Sequence, residues 1–133
     1  MNLTEKNKLD LIEHNIKKSQ EANEEVKFLI SNGFYALALT RTYYSIFYMI
    51  SALALQYDFS TANHSQLIGW FNKTFVKDNK VASEIGKKVY LAFEQRTKSD
   101  YNVLAQFTKE DAEKGLANLN FILPAVRNLI NSR

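Results

Sequence analysis

With 133 residues, 17 basic against 14 acidic side chains and a net charge of +3, the chain is long enough to bury one hydrophobic core and too short for two, so we read residues 1–133 as a single domain. Hydrophobic residues make up 46 % and charged residues 23 %, the balance of a folded soluble domain, and the absence of cysteine excludes disulfides, thiolate metal sites and a cysteine nucleophile. The longest apolar stretch, Ile46 to Leu55, is shorter than the roughly 20 residues of a membrane span, and no hydrophobic segment follows the charged start, so we expect a cytoplasmic protein with no membrane span and no secretory signal.

Scarce glycine and a single proline favour a few long helices joined by short loops. The first predicted helix starts near Thr4 and runs to Asn32, with Leu9, Ile12, Ile16, Val26 and Leu29 or Ile30 at helical spacing. Gly33 ends it as a left-handed cap. The second, about Phe34 to Tyr57, is apolar on nearly every side through Leu37, Leu39, Tyr43, Phe47, Ile50 and Leu55, which marks a central helix contacted all round. After a loop of capping residues, Asp58 to Asn63, a shorter amphipathic helix spans His64 to Phe75. Lys77 to Lys80 breaks the pattern, and a fourth helix follows from about Val81 to Tyr101. Thr108 with Asp111 has the outline of a capping box and opens a last helix to about Asn131. Pro124 lies inside it, where a kink, or a break between Asn120 and Pro124, is expected. The fold class predicted is all-α: an up-and-down four-helix bundle with an additional short helix.

Two arginine segments carry the chemistry. Arg41-Thr-Tyr43-Tyr44-Ser-Ile-Phe47-Tyr48 lies in the central helix, and Arg96-Thr-Lys-Ser-Asp100-Tyr101 closes the fourth. An obligate cation in an apolar or aromatic setting must find a carboxylate, a phosphate or water. For Arg41 the ordinary explanation is an internal ion pair with Asp100. The sharper one is a polar notch that receives an anionic ligand such as a nucleotide or an RNA phosphate. Arg41, Tyr44, Ser45 and Tyr48 fall at i, i+3, i+4 and i+7, so one helix face presents a guanidinium, two phenols and a hydroxyl. The simpler reading of those tyrosines is as core aromatics with satisfied hydroxyls.

Arg96 and Asp100, at i and i+4, suit a local salt bridge, while Tyr101 points away from Arg96 unless the helix unwinds there. His64 stands at the start of its helix as a cap, a surface residue or a catalyst. From Lys73 to Lys98, seven basic residues face Asp78, Glu84 and Glu94, a surplus that reads most simply as a solvated face. No glycine-rich phosphate loop, metal-spaced histidine pair or His-Glu-x-x-His arrangement occurs, so neither a metal nor a cofactor is expected.

The segments Ala38-Leu-Thr-Arg41-Thr-Tyr43-Tyr44-Ser-Ile-Phe47-Tyr48, Asn63-His64-Ser-Gln-Leu-Ile68 with Phe75-Val-Lys77, and Arg96-Thr-Lys-Ser-Asp100-Tyr101 resemble the HEPN domains, small all-α proteins of bacteria and archaea. The likeness runs from Gly33 to about Tyr101 and weakens in the outer helices. It implies a homodimer of helical bundles with a cleft at or near the subunit interface, and a minimal nucleotidyltransferase as partner in a toxin–antitoxin or nucleotide-handling pair. It also implies, for some members, metal-independent ribonuclease activity, in which an Arg separated by four to six residues from a following His promotes attack of the ribose 2′-hydroxyl on the adjacent phosphate. Here the Arg is Arg96 and the histidine is missing, since positions 101 to 103 hold Tyr101, Asn102 and Val103. A phenol with a pKa near 10 is a poor general base at neutral pH. Ribonuclease chemistry then requires His64 to substitute, with Arg96 or Arg41 stabilising the phosphorane.

The reading that follows is a nucleotide- or RNA-binding module acting with a nucleotidyltransferase. The alternatives are a metal-independent RNA endonuclease toxin with a degenerate motif and a non-enzymatic helical scaffold whose arginines make only internal pairs. The candidate catalytic residues are Arg96, His64 and Tyr101; the candidate ligand-binding residues are Arg41, Tyr44, Tyr48 and Asp100.

Overall fold

The computed structural model describes residues 4–132, and the helix boundaries in it follow from their caps. Thr4 accepts the Asn7 N–H through Oγ1 at 3.1 Å and starts α1 (Glu5–Ser31). Gly33 takes a φ of +80° and reverses the chain, the next N–H, that of Phe34, reaching back to the Leu29 carbonyl at 2.9 Å. Helix α2 (Tyr35–Gln56) follows at once. Asn63 accepts the Gln66 N–H and starts α3 (His64–Phe71), which continues through a π-helical turn, Asn72–Val76. Helix α4 spans Ser83–Tyr101. Thr108 and Asp111 form a reciprocal capping box, with bonds of 3.1 and 2.9 Å, ahead of α5 (Lys109–Asn131).

Two expectations on the elements are corrected. The fourth helix begins at Ser83 rather than Val81, because Val81 and Lys80 both reach back to the Phe75 carbonyl and belong to the turn closing the π-helical segment. Of the kink or break expected at Pro124, the break does not occur: the last helix is continuous through it. A proline costs its helix one hydrogen bond, but α5 buries Leu119 and Ile122 before it and Val126 and Ile130 after it, and that packing holds both halves to the bundle.

Cross-helix contacts fix the topology. Lys8 pairs with Asp58, Ser19 with Ser45 and Glu25 with Arg41, so numbers rise on α1 as they fall on α2 and the two helices are antiparallel. Thr40 with Ser99 and Tyr44 with Arg96 show the same for α2 and α4. Gly115 lies against Leu39, whereas Gln56 reaches Ile130, so α2 and α5 run parallel. This is an up-and-down four-helix bundle with α3 and its π turn as the additional element, as predicted. Helix α2 packs on all the others, and its Tyr43, Ile46, Ile50 and Leu53 form the middle of a core completed by Val26, Leu67, Phe71, Phe75, Val89, Leu119, Ile122 and Val126. At the α1–α2 crossing the hydroxyls of Ser19 and Ser45 each donate to the other residue's carbonyl, at 2.6 and 2.7 Å, which satisfies both without water.

The α2–α5 crossing depends on a missing side chain. A Cβ at Gly115 would stand 2.8 Å from Cδ2 of Leu39, a fully buried residue. Gly115→Val is therefore expected to lower stability by about 1–3 kcal/mol through overpacking, read as a fall in denaturant midpoint with an unchanged slope.

Candidate functional site

The site is built where α2, α3 and α4 meet, from aromatic side chains outward. Tyr43 is almost completely buried, and its hydroxyl needs a partner. It finds Nδ1 of His64 at 3.0 Å. The His64 ring also stacks on Phe47, with centroids 4.2 Å apart, and on Tyr43 at 5.4 Å, and stands edge-on to Tyr44. Asn63 is the cap of α3, so His64 is free of that duty and serves as the ring that locks the short helix onto α2. Phe93 of α4 closes the cluster against Tyr43.

Arg96 rests on this aromatic floor. Its guanidinium carbon lies 5.8 Å from the Tyr43 centroid and 5.6 Å from that of Tyr44, its Nη2 donates to the Tyr44 hydroxyl at 3.2 Å, and its Nε stands 2.9 Å from Asp100 Oδ2. The side chain is 16 % exposed. Burial opposes its charge, but Tyr44, by charge and by hydrogen bond, together with Asp100 and Tyr101, outweighs burial and holds its proton more tightly than usual. Arg41 comes to the same aromatic ring, 5.8 Å from the Tyr44 centroid, so the two guanidinium groups share Tyr44.

The sequence expectations fare unevenly. Arg96, His64, Tyr44 and Asp100 do come together. The salt bridge of Arg96 with Asp100 is the local i, i+4 pair. Arg41 does not pair with Asp100: its Nε meets Glu25 Oε2 of α1 at 2.8 Å, a partner fixed by the antiparallel α1–α2 register. Ser45 does not share the exposed face with Arg41, Tyr44 and Tyr48, but turns inward to Ser19. Tyr48 lies beside Tyr44, at 6.1 Å between centroids, with the Lys18 ammonium 5.2 Å from its ring. Tyr101 is the last residue of α4 and 74 % exposed, and it is one of the groups that raise the pKa of Arg96. Tyr43, Phe47, Glu25 and Lys18 were not among the candidates, and only their contacts across helices reveal them. Among the described residues no three ligating side chains are grouped so as to hold a metal ion, and no helix is long and apolar enough to cross a membrane.

The electrostatics divide the roles. Burial pushes the Tyr43 phenol far above its ordinary range, an effect only partly offset by Arg96, so it stays protonated. Burial first, and then the charge of Arg96, hold the His64 imidazole below its ordinary value of 6.5, leaving it neutral at pH 7. The folded state thus binds this proton more weakly than the unfolded chain. The stability that His64 contributes is complete above about pH 6.5 and is lost as the pH falls from there toward the depressed value. The melting temperature of the protein is expected to drop more steeply between pH 7 and pH 5.5 than that of His64→Gln; parallel profiles would show that the imidazole is not under this strain.

A neutral imidazole, a fixed guanidinium with further N–H groups unengaged, and an exposed phenol and carboxylate at the end of α4 form a surface able to bind an anion and to polarise it. Known proteins are similar to this chain in sequence. The family model for the HEPN domain matches residues 12–129. A UPF0332 protein of Thermotoga maritima is 34 % identical over 128 residues, 96 % of either chain. A protein of Methanocaldococcus jannaschii named "putative toxin" is 34 % identical over 113 residues, covering 85 % of this chain and 75 % of its own. A UPF0332 protein of Archaeoglobus fulgidus is 23 % identical over 123 residues, 92 % of this chain and 98 % of its own.

Proposed function

The chain belongs to the HEPN family, and we propose that within it this protein is a toxin-like module whose Arg96 cluster binds the phosphate of a nucleotide or of RNA. The observation that carries the reading is Arg96 itself. One N–H bonds the Tyr44 hydroxyl and Nε stands by Asp100, which holds the plane of the guanidinium in place while its remaining N–H groups have no acceptor among the described residues. A positioned, partly dry fork of this kind suits phosphate oxygens, and Tyr44, Tyr48 and Tyr101 supply aromatic faces on which a base can stack. The toxin-like character is supported by the likeness to the Methanocaldococcus jannaschii protein of that name. The reading includes a homodimer in the cytoplasm and a minimal nucleotidyltransferase as its partner, both drawn from the HEPN resemblance.

A second reading, the metal-independent endonuclease, is favoured by His64. The imidazole shares its aromatic neighbours with Arg96 and is uncharged at neutral pH, as a general base must be. The scaffold reading draws on the internal partners of both arginines, Glu25 and Asp100.

One set of assays separates the three. Purified protein is titrated with AMP and with a short single-stranded RNA, and RNA integrity is followed in EDTA. The binding module is expected to give saturable binding with intact RNA. Cleavage in EDTA that disappears in His64→Gln and Arg96→Ala, with both variants still folded at the assay temperature, replaces it with the endonuclease. No binding of either ligand leaves the scaffold.

A further inference from the structure

The described arginines are not alike. Arg41 and Arg96 each hold Nε beside a carboxylate oxygen, at 2.8 and 2.9 Å. The Nε atoms of all three are buried without a hydrogen-bond acceptor, but Arg127 of α5, unlike the other two, also has no carboxylate partner among the described residues. A guanidinium cannot escape a dry setting by losing its proton, so this donor is an uncompensated cost to the folded chain as it stands. Arg127 is only half-buried, so the rest of this unpaired cation can meet a partner from outside the chain.

Its surroundings suggest which. Arg127 lines a recess of about 230 Å³ on the seam of α1, α2 and α5, together with Gln20, Met49, Asn120, Leu123 and Pro124. Asn120, Pro124 and Arg127 follow at i, i+4 and i+7 and so share one face of α5. Asn120 uses Oδ1 to accept from Asn23 Nδ2 at 3.0 Å, which leaves its own Nδ2–H groups free to donate. Gln20, an exposed residue of α1, lines the recess from the opposite side. A cation and two amide-bearing residues thus border one small depression, together with the apolar Met49 and Leu123.

We infer that this recess is an anion site whose ligand is a phosphate group, gripped by the Arg127 fork with the Asn120 and Gln20 amides as further donors. A tetrahedral array of oxygens offers acceptors in more than one plane, which suits donors arriving from two helices, while the planar fork takes two of them. The volume is below the roughly 300–1,000 Å³ of pockets that enclose a drug-sized molecule, so the recess takes the charged group and leaves the rest of its bearer outside. No residue is shared with the Arg96 cluster, and the inference does not rest on the function proposed for it. The bearer is either a phosphate monoester such as a mononucleotide or the backbone of an RNA strand.

The test follows the arginine Nε–H and the amide side-chain signals by nuclear magnetic resonance during titration with sodium phosphate, against sodium chloride at equal ionic strength. Saturable shifts at Arg127, Asn120 and Gln20 with phosphate alone are expected. Arg127→Gln is expected to weaken phosphate binding at least about tenfold, and Arg127→Lys, which keeps the charge but loses the fork, to lie between. Since Arg127→Gln removes an unpaired charge, its melting temperature is expected to equal or exceed that of the parent, and Arg96→Ala is expected to leave phosphate binding here unchanged. Repeating the titration with AMP and with an RNA lacking terminal phosphates names the bearer: shifts with AMP alone mean a monoester, and shifts with the RNA mean the backbone. No saturable shift in the parent protein, equal shifts with chloride, or full binding by Arg127→Gln would overturn the inference.

Discussion

Arg96→Ala is expected to weaken nucleotide or RNA binding by about 10- to 100-fold while costing the fold about 1 kcal/mol. The binding loss follows from removing charge-assisted hydrogen bonds, each worth roughly 1.5–3 kcal/mol when the partner is an ionised phosphate. The small stability loss follows from what remains behind. Asp100 is partly exposed and can hydrate once its partner is gone, and Tyr44 is itself only half-buried. Titration and thermal melting of the same preparation separate the two effects. A variant that binds as tightly as the parent sinks the assignment of Arg96 as the anion's anchor. Arg96→Lys sharpens the comparison, because it retains the charge without the fork and is expected to recover only part of the affinity.

Tyr43→Ala is expected to destabilise by about 3–5 kcal/mol, a large share of the roughly 5–15 kcal/mol that holds a domain together. The ring is buried against Tyr44, Phe47, Phe93 and His64, and all of these contacts are forfeited at once. Tyr43→Phe isolates the hydroxyl. It is expected to cost only about 1 kcal/mol, since the ring stays packed and only the bond to His64 Nδ1 is lost. Chemical denaturation of both variants checks the contrast. If the Phe variant is as unstable as the Ala variant, the hydroxyl–imidazole bond, and not the ring, holds α3 to α2.

Much of the architecture is legible in local chemistry. Gly33 breaks one helix and caps it, Thr108 with Asp111 starts another, and the nearly all-round apolar pattern of Phe34 to Tyr57 marks a helix that every other helix touches. Local rules fail where a distant element decides. Pro124 reads as a break only until one sees the buried residues on either side of it. Arg41 meets Glu25 instead of Asp100 because α1 lies antiparallel to α2 with a particular register, and the sequence gives no direct sign of that register. Ser45 turns inward for the same reason, since Ser19 stands opposite. At the site, the i, i+4 pair of Arg96 and Asp100 was readable, but the seating of His64 on Phe47 and Tyr43 was not, because it joins residues from two helices through their rings.

The common seat of the two guanidinium groups on Tyr44 has an energetic corollary. Whatever rotates that phenol disturbs both cations together, so they behave as one coupled unit rather than as two independent handles. In a double-mutant cycle the combined replacement of Arg41 and Arg96 should then depart from the sum of the separate ones, and the size of that departure measures how strongly one side chain ties the second helix to the fourth.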